Sequence, residues 1–111
     1  MRHVEAFTLS ATSFKRLTIK IGSALLVDAA TGKLRDDWLK SLANDIAEIK
    51  KTGVEVIIVS SGAISLGRRI LGLTAENLSL DQSQAAASVG QIALSQAYRD
   101  ALGAHDVVTG Q

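Results

Sequence analysis

Two short segments of this chain carry groups that can hold an anion. The first is Lys20-Ile21-Gly22-Ser23 and the second is Ser60-Ser61-Gly62-Ala63. The Lys20 ammonium can meet phosphate oxygens as a point charge. Gly22 removes a side chain where backbone N–H groups would approach a phosphate. Ser61 supplies a hydroxyl donor. The turn it belongs to enters a helix, whose first N–H groups and positive dipole end suit a phosphate or a carboxylate. Each segment also has a plainer reading. Lys20 can be a solvated residue at a strand end, and the Ser-Gly pair can be a tight connection with a hydroxyl cap. Pattern alone leaves both readings open.

Other chemistries find less support. No Gly-x-Ser-x-Gly surrounds Ser60 or Ser61, so a nucleophile elbow is not expected. The chain has neither a Walker A sequence nor Gly-x-Gly-x-x-Gly. His3 and His105 stand far apart without ligand-like neighbours, and the chain has no cysteine, which excludes a disulfide framework and a thiolate metal site. Net charge is +1 with both signs mixed along the chain, which argues against a nucleic-acid surface. No apolar run approaches the roughly 18 residues of a membrane span. A signal peptide is not expected either, and a cytoplasmic location is the default.

The elements that must position these segments follow from periodicity. Leu17, Ile19 and Ile21 alternate with Thr18 and Lys20, a strand pattern. A second apolar patch follows at 24–27, and residues 28–33, with Thr31-Gly32, form a turn. Asp36 is placed to cap a helix whose stripe is Leu39, Leu42, Ala43, Ile46 and Ile49. Lys50 and Lys51 suit its last turn, and Gly53 stops it. The β-branched run at 54–59 predicts a strand buried on both faces. A helix over about 64–71 and a connection over 72–80 come next. Asp81 is placed to cap a long helix to about Leu102, which Gly103 ends, and residues 106–109 suggest a third strand.

Strand, helix, strand, helix, helix, strand opens a doubly wound α/β sheet with parallel strands. In such a sheet, ligands bind beyond the carboxyl ends of the strands, where both anion-binding segments fall. A three-stranded sheet keeps an exposed edge, which suggests missing partners. The small-sided stretch Gln84-Ala85-Ala86-Ala87-Ser88-Val89-Gly90-Gln91 suits close helix packing. The alternative is that Gln84 or Gln91 touches a ligand or a subunit partner. Trp38 is expected in the core or as a surface cover. With 111 residues, 47% apolar and 21% charged, the chain is one domain or part of one.

Three blocks together resemble a known family. They are Leu17-Thr18-Ile19-Lys20-Ile21-Gly22-Ser23-Ala24-Leu25-Leu26, Val59-Ser60-Ser61-Gly62-Ala63-Ile64, and the Gln84 to Gln91 stretch. In order and spacing they resemble the glutamate 5-kinases, within the amino acid kinase fold. The resemblance spans residues 16–111, with 1–15 as a flexible N-terminal extension. It implies a three-layer αβα architecture with a mainly parallel sheet, present here as its amino-acid-substrate side and ending before the nucleotide-binding half. It implies ATP-dependent phosphorylation of the glutamate side-chain carboxylate to γ-glutamyl phosphate, the first step of proline synthesis. Magnesium would assist, with ligands outside this chain, and proline would act as feedback inhibitor. Lys20 would be catalytic and bind ATP phosphate with Gly22 and Ser23; Ser61, Gly62 and Ala63 would bind glutamate. The exposed sheet edge and the small-residue helix suggest a homo-oligomer. The 111 residues alone are expected to lack kinase activity. The competing expectations are a non-catalytic amino-acid-binding or oligomerisation module, and an unrelated nucleotide-binding α/β domain.

Overall fold

A computed structural model describes residues 14–111. The extension expected over 1–15 therefore lies almost wholly outside the described residues. The elements, in order, are β1 (Arg16–Ile21), α1 (Ser23–Leu26), α2 (Asp36–Lys51), β2 (Glu55–Ser60), α3 (Ala63–Ile70) and α4 (Leu80–Gly103).

The two strands pair in parallel, with Leu17 opposite Val56, Lys20 opposite Val59 and Ile21 opposite Ser60. Because strand side chains alternate between faces, this register puts Leu17, Ile19, Ile21, Val56, Ile58 and Ser60 on one face. That face packs against Leu42, Ala43 and Ile46 of α2 and Leu94, Tyr98 and Leu102 of α4. Each fully buried leucine or isoleucine contributes roughly 1.5–3 kcal/mol through apolar burial. The parallel α/β class agrees with the sequence. Burial of β2 on both faces does not: Ile57 is 46% and Val59 49% exposed. Among the described residues no helical layer covers that face.

Local signals explain the helices. The buried stripe of α2 is Leu39, Leu42, Ala43, Ile46, Ala47 and Ile49, with Asp36 and Asp37 in its first turn and Lys50 and Lys51 in its last. Asp36 is the first helical residue, however, and Arg35 occupies the cap without a side-chain hydrogen bond. Asp36 thus acts through the helix dipole rather than as a cap. The Thr52 hydroxyl closes the other end on the Ile49 carbonyl at 2.6 Å. Gly53 then leaves the helix at φ +90°.

The apolar patch at 24–27 falls on the single helical turn α1 and its extended cap Val27, and Leu26 is completely buried. Beyond it Val27 bridges Leu34, and the Asp28 carboxylate accepts the N–H groups of Ala30 at 2.9 Å and Thr31 at 3.2 Å. These bonds, Thr31 first, hold the Asp28 pKa below the ordinary carboxylate value, with Arg35 adding to them.

The cap of α4 is Ser79 rather than Asp81. The Ser79 hydroxyl accepts the Gln82 N–H at 3.2 Å, and the Gln82 side chain accepts the Ser79 N–H at 3.0 Å. This reciprocal box satisfies two otherwise unpaired donors, which Asp81, already inside the first turn, does not. The third strand does not form. Among the described residues the sheet has two strands, Asp106 adopts φ +59°, and Val108 is 97% exposed. The Val107 N–H bonds instead to the Leu102 carbonyl at 3.1 Å, extending the helix end rather than the sheet.

Candidate functional site

Parallel pairing brings the carboxyl ends of β1 and β2 to one rim, and both candidate segments, Lys20 to Ser23 and Ser60 to Ala63, sit there. Their backbones are joined. The Ser61 N–H donates to the Ile21 carbonyl at 3.1 Å, and the Ser61 hydroxyl lies 3.5 Å from the same oxygen. A Cβ placed on Gly62 would lie 3.9 Å from the Ser23 Cα, so the two turns touch.

The residues of the rim differ in setting. Lys20 is exposed on the uncovered face of the sheet, paired with Val59. Among the described residues it has no salt bridge. Gly22 is extended at φ −74° and a Cβ there would meet nothing within 4 Å. Ser23 opens α1 and is half-buried. Gly62 is buried at φ +119°, against Val27 and Leu26. Only glycine adopts that conformation without strain. Ala63 begins α3, so the first N–H groups of that helix face the rim without intrahelical partners.

Helix α4 holds this arrangement from behind. A Cβ on Gly90 would overlap the Ala63 carbonyl, and one on Gly67 would overlap the Ala86 carbonyl. The small-sided stretch of α4 thus serves close packing. Within it Gln91 donates to the Ser95 hydroxyl at 3.2 Å, and Ser95 to the Gln111 side chain at 2.6 Å. A cavity of about 810 Å³ lies beside the free edge of β2, bordered by Ser60, Gln91 and Tyr98. None of Lys20, Gly22, Ser23, Ser61, Gly62 or Ala63 lines it.

One contact at the rim escaped the sequence reading. The Tyr98 hydroxyl donates to Ser60 Oγ at 2.9 Å, and the Ser60 hydroxyl donates to the Ser61 carbonyl at 3.1 Å. Tyr98 is 7% exposed, and burial pushes its pKa up, with the Ser60 bond partly opposing. The spacing of Leu94, Tyr98 and Leu102 at i, i+4, i+8 is the signal that could have placed it on the core face of α4.

The sequence model of the Amino acid kinase family matches residues 15–111. This chain belongs to the amino acid kinase family. It is similar to the glutamate 5-kinase of Brucella ovis, 58% identical over 98 residues that cover 88% of this chain and 26% of the relative. The glutamate 5-kinase of Dinoroseobacter shibae is 58% identical over 104 residues, 94% of this chain and 28% of the relative. That of Brucella anthropi is 58% identical over 99 residues. The chain therefore spans about a quarter of the length of the curated relatives it matches.

For an amino acid kinase, the donor set at this rim fits one half of the chemistry. An ammonium, hydroxyls and backbone N–H groups suit phosphate or carboxylate oxygens. They do not suit a magnesium ion, which takes carboxylates, carbonyls and water. Among the described residues no group of three or more histidine, cysteine or acidic side chains could hold a metal. No described helix is long and apolar enough to cross a membrane.

Proposed function

We propose that this chain supplies the amino-acid side of a glutamate 5-kinase, which transfers the γ-phosphoryl group of ATP to the side-chain carboxylate of glutamate. A carboxylate oxygen of glutamate attacks the γ-phosphorus, the bond to the β,γ-bridging oxygen breaks, and ADP leaves as γ-glutamyl phosphate forms. Such a transfer needs no nucleophile from the protein. It needs aligned reactants and stabilised phosphate charge. Lys20 neutralises the oxygens of the transferring phosphoryl group, while Gly22 and Ser23 leave room for the phosphates and offer backbone N–H groups. Ser61 donates its hydroxyl to glutamate, and the N–H groups of Gly62 and Ala63 bind a carboxylate. Adenine contacts and the magnesium ligands would come from outside these 111 residues. The reading extends to a cytoplasmic, homo-oligomeric enzyme of proline synthesis with proline as feedback inhibitor.

The observation that carries this reading is the joined rim: the Ser61 N–H on the Ile21 carbonyl at 3.1 Å, one residue beyond Lys20. It supports assigning the Lys20 ammonium and the serine–glycine corner to one rim, as a phosphoryl donor and a carboxylate acceptor require.

The test is a coupled ADP-release assay on a full-length enzyme that includes this sequence. Lys20→Met is expected to lower kcat by about 10²–10³ without a change in melting temperature. Ser61→Ala is expected to raise the KM for glutamate and to leave that for ATP nearly unchanged. ADP release that does not depend on glutamate would overturn the substrate assignment. The 111-residue chain alone is expected to show no turnover.

A further inference from the structure

We infer that Tyr98 is a positioning residue that orients the Ser61–Gly62 peptide for the ligand at this rim. The inference rests on the glutamate-binding role proposed above, but its geometry is independent of it.

Gly62 at φ +119° lies in a region open to glycine, and glycine also tolerates the alternatives. The peptide between Ser61 and Gly62 can therefore sit with its carbonyl toward the core or toward the rim unless something selects between them. In a trans peptide the C=O and N–H point in opposite directions. A carbonyl held by Ser60 therefore aims the Gly62 N–H to the opposite side of the peptide.

The hold on the Ser61 carbonyl is a relay of two hydroxyls. Tyr98 is buried on the core face of α4, and its O–H donates to Ser60 Oγ at 2.9 Å. That leaves the Ser60 proton for the Ser61 carbonyl, 3.1 Å away. Ser60 is the last residue of β2 and pairs with Ile21, so its backbone is anchored by the sheet. Gly90 sits eight residues before Tyr98 on the same helix, with no room for a Cβ against the Ala63 carbonyl. Helix α4 thus grips the turn on both sides of Gly62. Ser61 touches the ligand; Tyr98 acts through Ser60 and does not.

Two measurements test this. In the full-length enzyme, Tyr98→Phe and Ser60→Ala are each expected to raise the KM for glutamate about fivefold, the loss of one neutral hydrogen bond, with kcat and the KM for ATP within about twofold. The double variant is expected to be no worse than either single one, because both break one relay. Ser60→Thr, which keeps the hydroxyl, is expected to restore the wild-type KM. In the 111-residue chain, both hydroxyl deletions are expected to shift the Gly62 amide resonance and speed its hydrogen exchange while distant amides stay unchanged.

An unchanged Gly62 amide in Tyr98→Phe overturns the inference whatever the substrate. Equal losses toward glutamate and ATP, with a lowered melting temperature, also overturn it by reducing Tyr98 to a packing residue. A shifted Gly62 amide in a protein without glutamate-dependent turnover supports the positioning role and rejects the substrate.

Discussion

The crossing of α3 and α4 and the rim of β1 and β2 both depend on glycine, for opposite reasons. At the crossing, Gly67 and Gly90 let two helix backbones meet, and an added Cβ would collide with the carbonyl of Ala86 or Ala63. At the rim, Gly22 leaves space that nothing within 4 Å fills. Gly62 stands between the two cases, required by its positive φ and pressed at the Cβ position by Val27 at 3.3 Å. A glycine that other atoms already crowd is there for packing. A glycine facing open space at the end of a strand is free to serve a ligand. The contrast assigns the crossing to stability and leaves the rim open for the proposed ligand.

Substitutions can break or sharpen that contrast. The largest effect is expected from Gly90→Ala, which should cost about 3 kcal/mol in urea unfolding, since a backbone carbonyl cannot rotate aside. A cost under about 0.5 kcal/mol would mean the helices separate freely and the crossing is not tight. Gly62→Ala should cost about 1–3 kcal/mol, because alanine resists the left-handed region and Val27 must also move. In the full-length enzyme it should also raise the KM for glutamate, whereas Gly90→Ala should leave that KM unchanged and lower the apparent kcat only in proportion to lost folded protein.

Asp28→Ala tests the turn that carries Val27 and, through it, Gly62. The folded pKa of Asp28 is depressed, first by the Thr31 and Ala30 N–H groups. Its contribution is therefore present above the ordinary carboxylate value and lost as pH falls through the lowered folded value. The substitution should lower the melting temperature at pH 7, and the difference from wild type should shrink below about pH 4. A difference that stays constant with pH would remove the ionised carboxylate from the account.

The smallest stability effect belongs to Gly22→Ala. Its extended backbone accepts alanine, so stability should be unchanged or rise by up to about 1 kcal/mol through the unfolded state. Activity is where this substitution should register, as a raised KM for ATP in the full-length enzyme. A stability loss as large as that of Gly90→Ala would dissolve the distinction between crowded and open glycines.

Much of this was legible in the residues themselves. The alternation of Leu17, Ile19 and Ile21 marked β1, and the Leu39 to Ile49 stripe marked α2, because both depend on contacts repeated at short sequence distance. The small side chains before Gln91 announced a close helix approach. The Ser79-x-x-Gln82 box was also present in the sequence, but Asp81 competes with it as a cap by residue type alone. Asp36 shows a similar displacement at α2, one position past the Arg35 cap where Asp81 is two past Ser79, because the dipole and the cap compete for one residue type.

Composition and periodicity alone determined that this chain builds parallel strands joined by amphipathic helices, and that its polar turns fall at strand ends. Those properties follow from backbone geometry and side-chain shape within a few residues. Only the tertiary structure decided that residues 106–109 do not join the sheet and that β2 stays exposed on one face. It also decided that Tyr98 reaches Ser60 across 38 positions of sequence. Strand pairing, burial and a hydroxyl relay need partners distant along the chain, and no local pattern records whether the partner arrives.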